Sequence, residues 1–395
     1  MTASFLDLNF VGALCLIGLL RCIWPQRYYA VFGAISSALV LGLAAPKSLL
    51  AICGITILFL LPLQSLSRLA GKSRLPKTVA DCLIPASIAA LVILLILFKI
   101  YRNFSVPWLG GPWLREDILA LIGFSYFIFR AIDYLHIQII LKPNVTSTWQ
   151  LLFYVLFPPT ITSGPIQKYQ DFYQQLRNPL PLSTSIIFSA VYRVTRGYFR
   201  KAVIAVIING IVEKLLVTPR PTGFESILTV FFLYLYFYYD FAGYSDIAIG
   251  FGLLLGIRVP ENFRKPFAAT SVSEFWRNWH ITLVAWFRDH IFIPFGGMRG
   301  SRLHAASLAF LIMVLCGFWH GLTLNFIVWG IWHGTNIFAE AMLGVKPIPP
   351  GLRRGSKYWL RVFWTNARVA LGCIFFLPDS QTIMRVISGF ATWRL

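Results

Sequence analysis

The sequence predicts an all-α polytopic membrane protein, and three observations predict it. The residues AVILMFWYC make up 57% of the 395, charged residues only 13%, and mean hydropathy is +0.69. Soluble domains carry about 25% charged residues, so a chain this long and this apolar lacks the polar surface to coat a globule. Second, apolar runs approaching the ~20 residues of a spanning helix recur along the chain. Third, Lys+Arg is 35 against Asp+Glu 15, a net charge of +20, and these cations sit in short segments between the apolar runs. That placement is the positive-inside bias of membrane proteins. A soluble enzyme, a disordered chain and a fibrous protein are excluded, and no nucleic-acid partner is expected. The basic surface suits membrane lipids or an acidic protein partner.

Taken in order, the candidate spans or part-spans are 8–24, 28–45, 48–63, 83–101, 118–141, 149–162, 186–192, 202–217, 226–240, 245–257, 304–319, 322–343 and 358–377. Several are short enough to be re-entrant, and roughly ten to thirteen membrane-embedded helices are expected. Aromatic residues are 16% of the chain, and interfacial girdles account for part of that. The first run lacks a basic flank and a small-residue cleavage site, so it is expected to be a retained helix. Arg21 and Arg27 follow the first span; Arg68, Lys72, Arg74 and Lys77 follow the third; only Lys47 lies between. Odd spans are therefore expected to end in the cytoplasm, with the N-terminus outside. No linker, tandem repeat or low-complexity segment interrupts 1–395, so one domain is expected.

Two stretches do not read as spans. Tyr192–Lys201 mixes four cations with aromatics and is expected to start an interfacial helix. Segment 261–297 is too charged for lipid contact and too aromatic for a free loop. It is expected to be a half-buried or re-entrant element lining a cavity. Pro158–Pro165 breaks an apolar region, and non-helical backbone at that depth must be buried in protein or line a cavity. Arg130 and Asp133 are spaced for an intrahelical ion pair. Asp240 and Asp246, six apart among aromatics, do not share a helical face, and a loop or broken helix is expected there.

The six cysteines, Cys15, Cys22, Cys53, Cys82, Cys316 and Cys373, are scattered through apolar segments and read as small buried hydrophobes. No pair has metal-ligand spacing, and no metal site is expected. Ionisable residues inside apolar segments mark function. His320 sits between Gly317 and Gly321 at the junction of two apolar runs. A histidine there is suited to general base catalysis, the competing account being a packing histidine bonded to a carbonyl. His280 follows Trp276 and Trp279. If 280–295 and 304–320 form a straight antiparallel pair, both imidazoles lie at one level, roughly 22–24 Å from the intervening turn. His333 repeats the Trp-His-Gly context and is expected to be structural; His290 and His304 flank basic turns. The chain has no Walker loop, dinucleotide fingerprint or Gly-flanked serine elbow, which disfavours ATP-driven transport and serine acyl-enzyme chemistry.

Over residues 118–340 the chain resembles the membrane-bound O-acyltransferase (MBOAT) family. The carriers are Ser163-Gly164-Pro165-Ile166, Asp240-Phe241-Ala242-Gly243-Tyr244-Ser245, Pro260-Glu261-Asn262-Phe263, Glu274 through His280, Trp286-Phe287-Arg288-Asp289, and Trp319-His320-Gly321. The resemblance implies an MBOAT-type ring of membrane helices around a thinned central funnel, in a bacterial cytoplasmic membrane. It implies His320 as the catalytic base and His280 as the second catalytic position. Trp276, Arg277, Trp279, Trp319, Asp240, Ser245, Asn262 and Ser163 are then expected along the substrate channel. Phe129-Arg130-Ala131-Ile132 and Phe157–Pro165 look like a DltB-like branch, whereas Ile293–Gly300 looks more AlgI-like. The favoured implication is D-alanyl transfer to an extracytoplasmic envelope polymer or to an intermediary membrane-anchored protein. The acyl group would come from the phosphopantetheine thioester of an acidic acyl carrier protein, with no tightly bound cofactor. Arg193, Arg196, Arg200, Lys201, Arg264 and Lys265 are expected to dock that carrier. The alternatives are O-acetylation of an exopolysaccharide, a proton-coupled transporter, and a structural subunit that recruits a soluble partner.

Overall fold

A computed structural model describes residues 8–65, 77–103, 123–141, 147–297, 299–352 and 355–392. The loop cations Arg68, Lys72 and Arg74, and Met298 of the AlgI-like turn, lie outside the described residues. The helices in chain order are α1 (Leu8–Leu20), α2 (Tyr29–Ala44), α3 (Pro46–Ile55), α4 (Lys77–Asn103), α5 (Phe124–Leu141), α6 (Thr148–Leu156), α7 (Tyr169–Arg177) and α8 (Thr184–Tyr198). They continue as α9 (Ala205–Leu216), α10 (Gly223–Leu254), α11 (Val272–Asn278), α12 (Ile281–Phe287), α13 (Arg302–His320), α14 (Leu324–Met342), α15 (Gly355–Gly372) and α16 (Ser380–Gly389). Among the described residues there is no strand, only an isolated antiparallel bridge between Phe263 and Trp279. The stretches Gln26–Ala44, Pro46–Ser65, Gly223–Leu254 and Arg302–His320 are long and apolar enough to cross a membrane, and Phe10–Leu20 and Pro85–Tyr101 are shorter apolar helices.

The chain forms two compact units: Met1–Thr195 with Tyr244–Pro260, and Arg196–Gly243 with Glu261–Leu395. In the first, a Ser147–Gln150 capping box starts α6, and Pro158 ends it by removing a backbone donor. Arg130 on α5 is 1% exposed. It donates to the carbonyls of Tyr154 (2.8 Å) and Val155 (3.4 Å) and to the Thr160 hydroxyl. The cation thus satisfies helix-end carbonyls that would otherwise be orphaned. Asp133 accepts from the Tyr169 N–H at 2.6 Å, holding the start of α7. The breaker Pro158–Thr160 is a buried 3-10 turn, as its depth requires.

The second unit is built on an aromatic and aliphatic core of α9, α10, α11, α15 and α16, with Tyr234, Phe275 and Ile374 buried in it. Beside it, α13 and α14 form a helical hairpin. A Cβ on Gly317 would lie 2.2 Å from the Phe326 carbonyl oxygen, and one on Gly330 would lie 2.7 Å from that of Met313. Only glycine lets the two backbones approach so closely, the small-residue packing of membrane helices.

Two expectations are corrected. Segment 237–246 is not a loop or broken helix; α10 runs unbroken from Gly223 to Leu254. Its carboxylates are neutralised without breaking the helix, Asp240 by Lys201 and Asp246 by Arg193 at 2.7 Å. Tyr192–Lys201 does not start a helix either. It lies inside a continuous helical run that passes from α8 through a π-helical turn, Phe199–Ile204, into α9.

Candidate active site

His320 is the last residue of α13, and Gly321 leaves the helix in extended backbone. Four aromatic rings wall its imidazole: Trp319 at 4.8 Å, Phe376 at 5.1 Å, Trp329 at 5.2 Å and Phe326, stacked, at 5.9 Å between centroids. Two of these come from α14, one from α13 and one from the 3-10 turn Cys373–Phe376. A Cβ on Gly321 would lie 2.6 Å from the Phe326 ring, so the residue after His320 must be glycine for that ring to pack.

His280 is placed by a different device. It is the residue before α12 and takes a left-handed conformation, φ 48° and ψ 48°. A non-glycine residue there costs on the order of 1–3 kcal/mol and persists only where the surroundings impose it. Here Asn262 imposes it. Buried Asn262 accepts from the Thr282 N–H (3.2 Å) and hydroxyl (2.8 Å), and its own carbonyl accepts from Ile281 N–H at 3.0 Å. Asn262 therefore caps α12, and the His280 side chain makes no cap bond. That ring packs edge-on to Phe241 at 4.6 Å and reaches Trp319, the neighbour of His320, at 6.3 Å. His280 is 5% exposed and its Nδ1 has no hydrogen-bond partner. Burial pushes its imidazole down to about 3, and nearby His320 pushes the same way. His280 is thus neutral at physiological pH, able to offer one donor and one acceptor. The expected straight pair of helices is not what joins the two histidines: a π-helical turn, Arg288–Phe292, follows α12.

The segment that leads into His280 is held by two buried carboxylates. Glu274 accepts from the Thr270 N–H and hydroxyl at 2.8 and 2.9 Å, and Ser271 caps Glu274 N–H at 3.1 Å. Glu340 on α14 reaches across to the start of α11, accepting from Val272 N–H (2.8 Å), Ser273 N–H (3.0 Å) and Arg368 (2.9 Å). These groups fix α11, and with it Trp276, Trp279 and His280. Trp279 stacks on Phe275 at 5.3 Å and meets Phe263 edge-on at 5.0 Å.

Of the residues expected at the site, the second unit brings together His280, Trp276, Trp279, Asn262, Trp319 and His320. Arg277 is exposed on α11, and Asp240 is engaged by buried Lys201. Ser163 and Ser245 belong to the first unit, where Ser163 N–H donates to Tyr244 Oη at 3.3 Å and Ser245 is buried. Of the expected docking cations, Arg193 is bound to Asp246, Lys201 is buried, and Arg200 lies 6.0 Å over the Tyr238 ring. Arg196 is half-buried, and Arg264 and Lys265 are exposed. Sequence reasoning missed Phe326, Trp329, Phe376 and Glu340. Only Glu340 carried a signal, as an acid inside an apolar run.

Comparison with known proteins adds the chain's family. The model of the membrane-bound O-acyltransferase family, MBOAT, matches residues 141–377. The chain is 31% identical over 310 residues to a probable alginate O-acetylase, AlgI, of Pseudomonas aeruginosa, covering 75% of this chain and 58% of that protein. It is 27% identical over 347 residues to a teichoic acid D-alanyltransferase of Bacillus subtilis, covering 84% and 85%. It is 32% identical over 268 residues to a peptidoglycan O-acetyltransferase of Helicobacter pylori, covering 59% and 49%. The chain spans 57% to 62% of the length of the alginate O-acetylases it matches. Its apolar helices, the motifs around both histidines and a match over more than half its length lead to one conclusion: the chain belongs to the membrane-bound O-acyltransferase family.

Proposed function

We propose that the protein transfers a small acyl group from an activated thioester to an alcohol hydroxyl of an extracytoplasmic envelope polymer or of an intermediary membrane protein, with His320 as general base. The observation that carries this is the placement of His320 at a helix end, inside a wall of four aromatic rings with neutral His280 close by. In the reaction, a His320 nitrogen takes the hydroxyl proton as the oxygen attacks the thioester carbonyl. The C–O bond forms, the C–S bond breaks, and the thiolate leaves with the proton that His320 returns. The aromatic wall excludes water that would hydrolyse the thioester. His280 is a donor for the developing oxyanion or an orienting group beside it.

Acetyl is the acyl group the wall suits best. A methyl group gains from burial against rings, about 0.8 kcal/mol for each buried carbon of this kind, whereas the ammonium of a D-alanyl group must be desolvated there. D-alanyl from a phosphopantetheine carrier is the second choice. It is favoured by a relative that aligns along most of both chains and by cation–π attraction at the same rings. Exposed Arg264, Lys265 and Arg277 offer a docking patch for an acidic carrier. The Arg264 N–H donates to the Asn278 carbonyl at 3.0 Å, which brings the backbone at Arg264 beside the end of α11 that carries Arg277.

The test is transfer by the purified protein in lipid nanodiscs, from acetyl- and D-alanyl-carrier thioesters in parallel, with wild type and His320→Ala. General base catalysis contributes about 10²–10⁴-fold, so His320→Ala is expected to lose at least that much while melting as wild type does. Undiminished transfer by a folded His320→Ala protein overturns the proposal.

A further inference from the structure

His333 packs among aromatic rings as its position suggests, yet one of its ring nitrogens is left unsatisfied. It is 1% exposed, on α14, and its Nδ1 has no hydrogen-bond partner. Edge-on to it at 5.0 Å lies Trp276 of α11, whose Nε1 is also buried without a partner. Both rings pack on Trp329, at 4.9 and 5.4 Å, and Trp329 in turn packs on His320 at 5.2 Å. On its other side His333 is cradled by Gly372, where a Cβ would stand 2.3 Å from Nε2. A buried polar atom without a partner is costly and uncommon in native structures. Two on touching side chains, one ring away from the base, mark a place where a ligand supplies the missing bonds.

We propose that Trp276 Nε1 and His333 Nδ1 form a hydrogen-bonding subsite beside the catalytic histidine for a neutral substrate group with both an accepting oxygen and a polar hydrogen. The indole N–H only donates, and a neutral imidazole nitrogen either donates or accepts. An alcohol hydroxyl or a secondary amide satisfies the pair, and a carboxylate or phosphate, which only accepts, suits it less well. That chemistry has two sources under the acyl-transfer proposal, on which this inference rests. One is a neighbouring hydroxyl of the acceptor; the other is an amide or hydroxyl of the donor's pantetheine arm. His333 and Trp276 are then positioning residues, holding substrate while His320 does the chemistry.

The experiment reads binding rather than turnover. The full chain in nanodiscs is titrated calorimetrically with pantetheine and, separately, with cellotetraose. Wild type is compared with His333→Leu, Trp276→Phe, His333→Asn and His320→Ala. Losing one hydrogen bond to a buried group is expected to weaken binding about tenfold. If pantetheine weakens in His333→Leu and Trp276→Phe and recovers in His333→Asn, whose amide reaches the Nδ1 position, the subsite holds the donor arm. The same pattern with cellotetraose assigns it to the acceptor. Trp276→Phe keeps an aromatic ring while removing the N–H, and serves if His333→Leu fails to fold. The inference is overturned if folded variants bind both probes as wild type does, or if wild type binds neither. His320→Ala is expected to bind like wild type. A catalytically competent His320→Ala would therefore sink the acyl-transfer proposal through a readout separate from the binding that tests this subsite.

Discussion

Asn262 caps the helix that His280 begins. Its Oδ1 lies 2.8 Å from the Thr282 hydroxyl and 3.2 Å from the Thr282 N–H, while the His280 side chain makes no cap bond. The imidazole is thereby freed to turn toward Trp319 and the end of α13. Capping by a residue 20 positions away replaces capping by the residue at the helix start, and the placement of the His280 ring follows from the exchange.

Asn262→Ala is therefore expected to cost stability and rate together. The lost cap is worth about 1–2 kcal/mol. The left-handed turn at His280 then relaxes, and the rate falls more than the melting temperature alone accounts for. Asn262→Asp keeps the accepting oxygen and is expected to recover most of both. Differential scanning calorimetry with single-turnover transfer checks this; full activity in Asn262→Ala would contradict it.

The neutral state of His280 makes stability depend on pH. Its folded value near 3 lies below the ordinary 6.5, so between those values the unfolded chain binds a proton that the folded chain does not. Stability is fully present above about 6.5 and falls as pH drops toward 3, by at most about 1.4 kcal/mol per pH unit. Melting curves from pH 7 to pH 4 are expected to show a steeper fall in wild type than in His280→Phe. Parallel curves would remove His280 as the cause.

Glu340 joins α14 to the start of α11, and its side chain is 4% exposed against 37% for Arg368. Glu340→Ala leaves the Val272 and Ser273 N–H groups unsatisfied. It is expected to destabilise by about 3 kcal/mol, in the range for breaking a buried pair. Arg368→Ala, at the more exposed end, is expected to cost clearly less. Chemical denaturation of both variants is the measurement, and equal losses would refute the asymmetry.

Gly317 has no room for a side chain against the Phe326 carbonyl. Gly317→Ala forces α13 and α14 apart, and overpacking of this kind costs typically 1–3 kcal/mol. Because the hairpin also carries the His320 wall, transfer is expected to fall further than stability. Gly210, with open space around its Cβ position, is the control: Gly210→Ala is expected to leave transfer unchanged.

Much of the site was legible beforehand for a local reason. His320 sits among glycines and aromatics within a few residues of itself, and both Trp319 and Gly321 are neighbours in sequence. Its other walls were not legible, because Phe376 lies far along the chain and nothing in the 358–377 run singles it out. The helix through Asp240 and Asp246 was misjudged for the same reason. A carboxylate in an apolar helix is tolerable only with a partner, and those partners, Lys201 and Arg193, lie 39 and 53 positions away.

By itself the sequence determined the solvent and the style of packing. With 13% charged residues the chain must bury its helices in lipid, and glycines such as Gly317 and Gly330 sit where two of them touch. The tertiary structure alone decided which charges remain available. Lys201 and Arg193 are spent on internal carboxylates, while Arg264, Lys265 and Arg277 face outward. It also decided that His280 is neutral, that His280 and His333 each keep an unpartnered ring nitrogen, and that His320 is walled by rings. Those properties depend on burial and on partners brought in from distant segments, and neither is a property of local sequence.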